Sequence, residues 1–182
     1  MNLYDFTVKA MDGSDVSLAD YRGKVALVVN TATGCGFTPQ YEPLQKLYDA
    51  HRDDAFAILD FPCDQFGHQA PGDDDTIHTF CTGRFGITFP QFSKVEVNGE
   101  NAIPLYRWLT ESTTFGGFSG PMGKLLEGVA EKMDPDFRSN GSIKWNFTKF
   151  LIGKDGEIVR RFEPTDDMDE VRAQVEALLS EG

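Results

Sequence analysis

Residues 25–41 read Val25-Ala-Leu-Val-Val-Asn-Thr-Ala-Thr-Gly-Cys35-Gly-Phe-Thr-Pro-Gln-Tyr41 and join an apolar run to a turn that contains one cysteine. The unbroken run Val25–Val29 predicts a buried strand. Thr38 followed by Pro39 predicts the start of a helix, because proline is favoured at the first helical position. Cys35 is therefore expected between a strand end and a helix start, where free backbone N–H groups and the helix dipole favour the nucleophilic thiolate. Taken alone, the segment fits a redox or nucleophilic cysteine and equally an inert buried one.

Length and composition are typical of an ordinary globular protein. The chain has 182 residues, 40% of them hydrophobic and 25% charged, so residues 1–182 are expected to form a single domain with a sizeable core. The formal net charge of -12 disfavours nucleic acid and anionic membranes as partners. No apolar run approaches the length needed to span a bilayer, and no signal-peptide core follows Met1. We therefore expect a cytoplasmic protein.

The cysteine pattern narrows the chemistry. The chain has three cysteines, an odd number, and none of them forms a Cys-x-x-Cys pair. This spacing favours neither a secreted disulfide framework nor a zinc site. In the cytoplasm a disulfide is expected to be transient rather than structural. We expect no metal and no cofactor.

Strand and helix patterns alternate along the chain. The order predicts an α/β protein with a thioredoxin-like fold, in which parallel strands joined by a helix are followed by an antiparallel hairpin. An N-terminal β-hairpin precedes this core, and a loop-rich insertion at residues 110–142 precedes the second half of the sheet. The predicted strands are 3–9, 14–18, 25–29, 55–60, 92–97, 146–152 and 158–162. The predicted helices are 39–51, 73–85, 103–109, 124–133 and 168–179.

Donor-rich side chains follow the ends of the predicted strands, where α/β sheets present their chemistry. The loop after the fourth strand carries Cys63, Gln65 and Gln69, and Trp145-Asn146 opens a later strand. An indole N–H and carboxamide groups around a cysteine are able to stabilise a thiolate without forming a competing ion pair. Taken one at a time, these residues are also ordinary core, turn or surface positions.

Three sequence blocks together resemble the signature motifs of the glutathione peroxidase family, in order and in spacing. They are Asn30-Thr-Ala-Thr-Gly-Cys-Gly-Phe-Thr-Pro-Gln-Tyr41, Phe61-Pro-Cys-Asp-Gln-Phe-Gly-His-Gln-Ala-Pro-Gly72 and Trp145-Asn-Phe-Thr-Lys-Phe-Leu151. The resemblance implies a peroxidatic role for Cys35 and catalytic roles for Gln69, Trp145 and Asn146. It also implies a peroxidase that reduces hydrogen peroxide and organic hydroperoxides through a Cys35 sulfenic acid, in oxidative-stress defence.

The chain departs from the family pattern at a few positions. Asp64 stands where asparagine is usual, Ala70 where glutamate is usual, and Thr31 and Thr33 replace smaller or apolar residues. None of these changes removes a predicted catalytic group. Asp64 would oppose thiolate formation if its carboxylate pointed towards the cysteine.

Cys81 is the candidate for a second, resolving thiol. It lies in Thr79-Phe-Cys-Thr-Gly-Arg-Phe85 and matches the resolving position of the cysteine-type, thioredoxin-dependent family members. We expect it at the end of a helix, where fraying would let it approach Cys35 closely enough for a disulfide. Cys63 is expected to be a small apolar residue under its loop. We expect thioredoxin or glutathione as the reductant, and an internal disulfide favours the dithiol protein.

Several alternatives stay open at this stage. A redox sensor that passes oxidation from Cys35 and Cys81 to a partner protein would use the same residues. A thioredoxin-type disulfide oxidoreductase would need a second cysteine at position 38, which is threonine, and a peroxiredoxin would need a different cysteine loop with a partner arginine. The segment 110–142 either covers the pocket, which would favour small hydroperoxides, or joins subunits, or packs internally, so the protein is a monomer or a homo-oligomer.

Overall fold

A four-stranded mixed sheet lies at the centre of the computed structural model, which describes residues 1–181. The strands are β1 (Thr7–Lys9), β2 (Asp15–Ser17), β3 (Val25–Thr31), β4 (Phe56–Pro62), β5 (Lys149–Ile152) and β6 (Ile158–Phe162). The central sheet has the order β4-β3-β5-β6, and β1 and β2 form a separate hairpin. Strand β3 pairs in parallel with β4 and antiparallel with β5, which pairs antiparallel with β6. The predicted pair of parallel strands followed by an antiparallel hairpin is confirmed.

Residues 1–181 form five α-helices, four of which (the first, second, third and fifth) pack into the apolar clusters on the sheet. They are α1 (Tyr41–Ala50), α2 (Asp74–Phe85), α3 (Pro104–Glu111), α4 (Gly123–Met133) and α5 (Met168–Ser180). Helix α2 begins where the Asp73 side chain accepts a hydrogen bond from the Thr76 N–H at 2.9 Å, and it ends at Gly86, which has a left-handed φ of 63°. Within residues 1–181, no helix has both the length and the apolar character that crossing a membrane requires.

Strand β3 is buried on both faces, which explains its unbroken apolar sequence. Alternate residues of a strand point to opposite faces, so Ala26 and Val28 join one apolar cluster while Leu27 and Val29 join the other. The first cluster packs against α3 and the N-terminal hairpin, and the second packs against α1, α2 and α5. The second cluster contains both Cys35 and Cys81.

One predicted strand is wrong. The segment Phe92–Val97 alternates like a strand but forms no regular ladder. Its backbone makes single bonds to different segments, such as Ser93 N–H to the Lys9 carbonyl and Val95 N–H to the Pro62 carbonyl, both at 2.9 Å. Side chains occupy two of its other backbone donors: the Lys94 N–H donates to Asp74 at 2.8 Å, and the Val97 N–H donates to Gln65 at 2.8 Å. Because these N–H groups are already paired, they cannot extend a ladder to another strand.

The strand that was expected to begin at Asn146 begins later, at Lys149. Trp145 and Asn146 instead lie in a turn before β5, and Phe147 adopts a left-handed backbone with φ of 66°. In the segment 110–142, helix α4 buries Leu126 and exposes Leu125 and Met133.

Candidate active site

Cys35 lies in the turn after β3, and backbone groups hold its position. Its N–H donates to the Thr38 hydroxyl oxygen at 2.9 Å, and that hydroxyl donates to the Ala32 carbonyl at 2.8 Å. The Phe37 N–H points at the Cys35 sulfur, 3.3 Å away. Cys35 is only 7% exposed. A donor aimed at a sheltered sulfur stabilises negative charge there, which is what a thiolate nucleophile needs.

The expected position of Cys35 at a helix start is corrected by the structure. A 3₁₀ turn over Thr38–Gln40 follows the cysteine, and α1 begins only at Tyr41. The hydrogen-bond donor near the Cys35 sulfur is therefore a backbone N–H of a tight turn. It does not belong to the first turn of an α-helix. Sequence reasoning identified Thr38 as a helix-start residue and missed its bond to the Cys35 N–H.

The loop that follows β4 lies against the Cys35 turn, as predicted for neighbouring strand ends. The Gly34 N–H donates to the backbone carbonyl of Gln69 at 2.7 Å. A Cβ on Gly34 would lie 3.3 Å from that carbonyl oxygen, so glycine allows this close approach. The side-chain oxygen of Gln69 accepts from the Asn146 amide at 3.1 Å. The structure thus brings Gln69 and Asn146 together next to the residue that precedes Cys35.

Trp145 and Asn146 are held by an interlocked turn. The Phe147 N–H donates to the Asn30 carbonyl at 2.6 Å, and the Asn30 amide donates to the Trp145 carbonyl at 3.3 Å. Half-buried Trp145 packs on Phe66 with ring centroids 5.9 Å apart and contacts both apolar clusters. Within residues 1–181, the buried side-chain oxygen of Asn146 has no hydrogen-bond partner. An unmet buried acceptor costs roughly 1–3 kcal/mol, so a bound donor would be favoured there.

Lys149 connects the segment after Cys35 with the turn that carries Trp145 and Asn146. Its ammonium is fully buried and donates to the Gln40 side-chain oxygen at 2.6 Å and to the Phe147 carbonyl at 2.7 Å. Burial lowers the pKa of Lys149 to about 7, although the charges of Asp166 and Glu163 raise it. The sequence placed Lys149 in the third motif, but its burial and its bridging role were missed.

Cys81 lies in the interior of α2 and is fully buried. The expectation that it sits at the frayed end of the helix is corrected, because the helix continues to Phe85. Burial raises the pKa of the Cys81 thiol, and the Asp60 charge raises it further. The sulfur of Cys35 and that of Cys81 are both free thiols.

Cys63 lies beneath its loop, as expected. It is fully buried, and burial raises the pKa of its thiol to about 11. The Asp64 carboxylate accepts from the Ala70 N–H at 3.0 Å, so it ties the two ends of this loop together. The side chain at position 64 therefore holds the loop rather than pointing freely towards Cys35.

Comparison with known proteins agrees with the three motifs. The family model described as glutathione peroxidase matches residues 3–110. A hydroperoxy fatty acid reductase from Synechocystis sp. is 47% identical over 177 residues, which cover 97% of this chain and 95% of that protein. A glutathione peroxidase from Lactococcus lactis subsp. cremoris is 42% identical over 179 residues, which cover 98% of this chain and all of that protein (100%).

Solved structures give the same fold. A crystal structure of apo Trgpx has a TM-score of 0.71 and 34% identity, covering 100% of this chain and 97% of that one. The crystal structure of T. cruzi GPX1 has a TM-score of 0.68 and 30% identity, covering 98% and 97%. The predicted thioredoxin-like fold is confirmed. Motifs, geometry and relatives lead to one conclusion: the chain belongs to the glutathione peroxidase family and is a peroxidase oxidoreductase.

Proposed function

We propose that Cys35 is the peroxidatic thiol of a hydroperoxide reductase that takes part in oxidative-stress defence. The observation that carries the proposal is the Phe37 N–H aimed at the Cys35 sulfur at 3.3 Å. The hydrogen-bonded Gln69–Asn146 pair beside it supports the same role. Together with Trp145, these amides form a neutral donor set suited to an oxygen that gains charge as the O–O bond breaks.

The first step transfers one oxygen atom to sulfur. The Cys35 thiolate attacks one oxygen of the hydroperoxide, the S–O bond forms and the O–O bond breaks. The leaving oxygen takes a proton and departs as water or an alcohol, and Cys35 becomes a sulfenic acid. Sulfur is oxidised by two electrons and the peroxide is reduced by two. The relative named a hydroperoxy fatty acid reductase supports organic hydroperoxides as substrates besides hydrogen peroxide.

The second step uses Cys81. Its thiolate attacks the Cys35 sulfenic sulfur, the S–S bond forms, and the hydroxide that leaves takes up a proton as water. Both cysteines line the same apolar cluster, which supports their pairing. Because Cys81 is buried inside α2, local unwinding of this helix is needed to bring the two Cα atoms within about 7 Å.

Thioredoxin is the reductant that this arrangement favours. A dithiol protein attacks one sulfur of the disulfide and then resolves its own mixed disulfide, whereas glutathione must act twice. Glutathione is also anionic and would approach a chain of net charge -12. The burial of Lys149 removes one cation from any surface patch that would attract it.

Steady-state peroxide reduction with thioredoxin and with glutathione, measured side by side, tests the proposal. We expect faster turnover with thioredoxin, and mass spectrometry should find a Cys35–Cys81 disulfide after one equivalent of peroxide. Cys63→Ser serves as the matched control and should keep both properties. Turnover with neither reductant, while the disulfide still forms, would favour a redox sensor; absence of the disulfide would make glutathione the better candidate.

A further inference from the structure

Asp60 is a fully buried carboxylate at the end of β4, outside the proposed donor set. It accepts hydrogen bonds from the Thr31 hydroxyl, from the Tyr41 hydroxyl at 2.9 Å and from the Gln91 amide at 2.9 Å. These donors come from β3, from α1 and from the segment after α2. The carboxylate therefore lies at the junction of the elements that carry Cys35 and Cys81.

Helix α2 lies near this carboxylate, because the charge of Asp60 acts on the Cys81 thiol and His78 acts on Asp60. Cys81 and His78 are three residues apart and so lie on the same side of the helix. The His78 ring is hydrogen-bonded to the Gln91 side chain at 2.9 Å, and hydrogen bonding by Gln91 and Tyr41 acts on Cys81 as well as on Asp60. Opening α2 around Cys81 would therefore also uncover Asp60.

The charge of Asp60 is unfavourable while it stays covered. Burial raises the pKa of Asp60 to about 6, against the lowering effect of its hydrogen-bond donors and of His78. Burial raises the pKa of the Tyr106 phenol on α3, and Cys63 and the Asp60 charge raise it further. A group whose pKa is raised in the closed state favours that state at low pH, so opening becomes easier as pH rises from about 4 to about 6.

We propose that Asp60 is a positioning residue that promotes release of Cys81, because solvation of its carboxylate on local opening of α2 offsets part of the cost of unwinding. This inference rests on the proposed resolving role of Cys81. The Asp60 carboxylate then acts in the disulfide step and not in the attack on peroxide.

Hydrogen exchange of the α2 amides around Cys81 tests the inference directly. Asp60→Asn keeps an acceptor for Tyr41 and Gln91, and its amide can donate to the Thr31 hydroxyl. Because the buried charge is gone, we expect these amides to be about tenfold better protected at pH 7, less than the roughly hundredfold limit set by a pKa shift of two units. A merely structural role would give the opposite sign, since losing a buried partner loosens the helix.

Two control variants separate the charge from its surroundings. Asp74→Asn removes another carboxylate of α2, one that bonds to the Ser93 hydroxyl and the Lys94 N–H, and it should not increase protection near Cys81. In the wild type we expect the protection of these amides to fall between pH 4.5 and 6.5. His78→Gln should show the same fall, which would assign the titration to Asp60 and not to His78. If Asp60→Asn does not fold, the wild-type pH series still decides, because a flat series would overturn the inference.

The functional arm measures single-turnover disulfide formation. Asp60→Asn should oxidise Cys35 at the wild-type rate and then form the Cys35–Cys81 disulfide about tenfold more slowly. An unchanged rate of disulfide formation, or unchanged or weaker amide protection, would overturn the inference while the peroxidase proposal stands. A wild-type protein that consumes peroxide without forming this disulfide would instead refute the resolving role of Cys81, and the inference would fall with it.

Discussion

Cys35 and Cys81 lie in the same apolar cluster, yet their immediate surroundings differ. Cys35 occupies a tight turn where a backbone N–H is directed at its sulfur. Cys81 lies within a helix, where burial and the nearby Asp60 charge raise the pKa of its thiol. We therefore expect the nearest polar groups, and not burial alone, to govern the reactivity of each cysteine.

The difference assigns a division of labour to the two proposed redox residues. In the proposed mechanism, Cys35 attacks from its turn without any large movement. Cys81, buried inside its helix, leaves that helix before it reacts. A resolving cysteine that is inert until the helix opens gives the sulfenic acid time to form before the disulfide step begins.

The largest expected effect comes from Cys35→Ser. A hydroxyl in this turn is a far weaker nucleophile than a thiolate, so peroxide reduction should be lost with either thioredoxin or glutathione. Steady-state peroxide consumption measures this directly. Activity above a few per cent of wild type would move the chemistry to Cys63 or Cys81 and remove the distinction between the two sites.

The second effect concerns recycling. Cys81→Ser should keep the first oxidation of Cys35, since the turn around Cys35 does not depend on this thiol, but should lose thioredoxin-driven turnover. Stopped-flow oxidation with one equivalent of peroxide separates the two steps. Undiminished cycling with thioredoxin would mean that the reductant attacks the Cys35 sulfenic acid itself.

The donor set gives a smaller, graded effect. Gln69→Ala and Trp145→Phe each remove one proposed hydrogen-bond donor, and loss of a transition-state donor costs roughly 10²–10³ in rate. Single-turnover oxidation of Cys35 is the measurement. Gln65→Ala is a matched control, because the Gln65 side chain accepts from the Val97 N–H and donates to the Asn98 carbonyl on the other side of its loop. Rates equal to wild type in both donor variants would contradict their proposed roles.

The parts of this arrangement that could be predicted from the sequence are those in which a local pattern is compatible with only one structure. The run Val25–Val29 fits only a strand buried on both faces, and two neighbouring strand ends had to bring the Gln69 loop to the Cys35 turn. The alternation in Phe92–Val97 was ambiguous, because a pattern of side chains does not reveal that Asp74 and Gln65 occupy the backbone donors.

Buried polar groups were the hardest to predict. No role was predicted for the buried charges of Lys149 and Asp60, since charged residues are seldom fully buried. Their burial depends on partners distant in the chain, such as Gln40 for Lys149 and Gln91 for Asp60. The hydrogen bonds of the Thr38 hydroxyl likewise depend on the conformation of the whole turn, so they could not be predicted from the Thr38-Pro39 pattern.

The smallest expected effect concerns the Lys149 bridge, which belongs to the surroundings of Cys35 and not to those of Cys81. Lys149→Met keeps an apolar stem but leaves the Gln40 side-chain oxygen and the Phe147 carbonyl without their donor, at a cost of roughly 1–3 kcal/mol in the free energy of unfolding. Burial lowers the pKa of Lys149 to about 7, so between pH 7 and 9 the unfolded chain binds more protons than the folded one. The wild-type contribution of Lys149 to stability therefore rises with pH, by at most about 1.4 kcal/mol per pH unit.

Urea unfolding at pH 7, 8 and 9 measures this trend as the difference in free energy between wild type and Lys149→Met. The difference should widen as pH rises, because only the wild type loses the penalty of a buried ammonium. Lys46→Met is the matched control, since the Lys46 side chain is 76% exposed, and its difference from wild type should stay constant over the same range. Single-turnover oxidation of Cys35 should slow in Lys149→Met by less than in the donor variants, because the bridge only positions the turn and the Phe147 backbone. If the difference in unfolding free energy stays constant or narrows as pH rises, Lys149 does not have a lowered pKa in the folded protein, and this interpretation of the bridge is wrong.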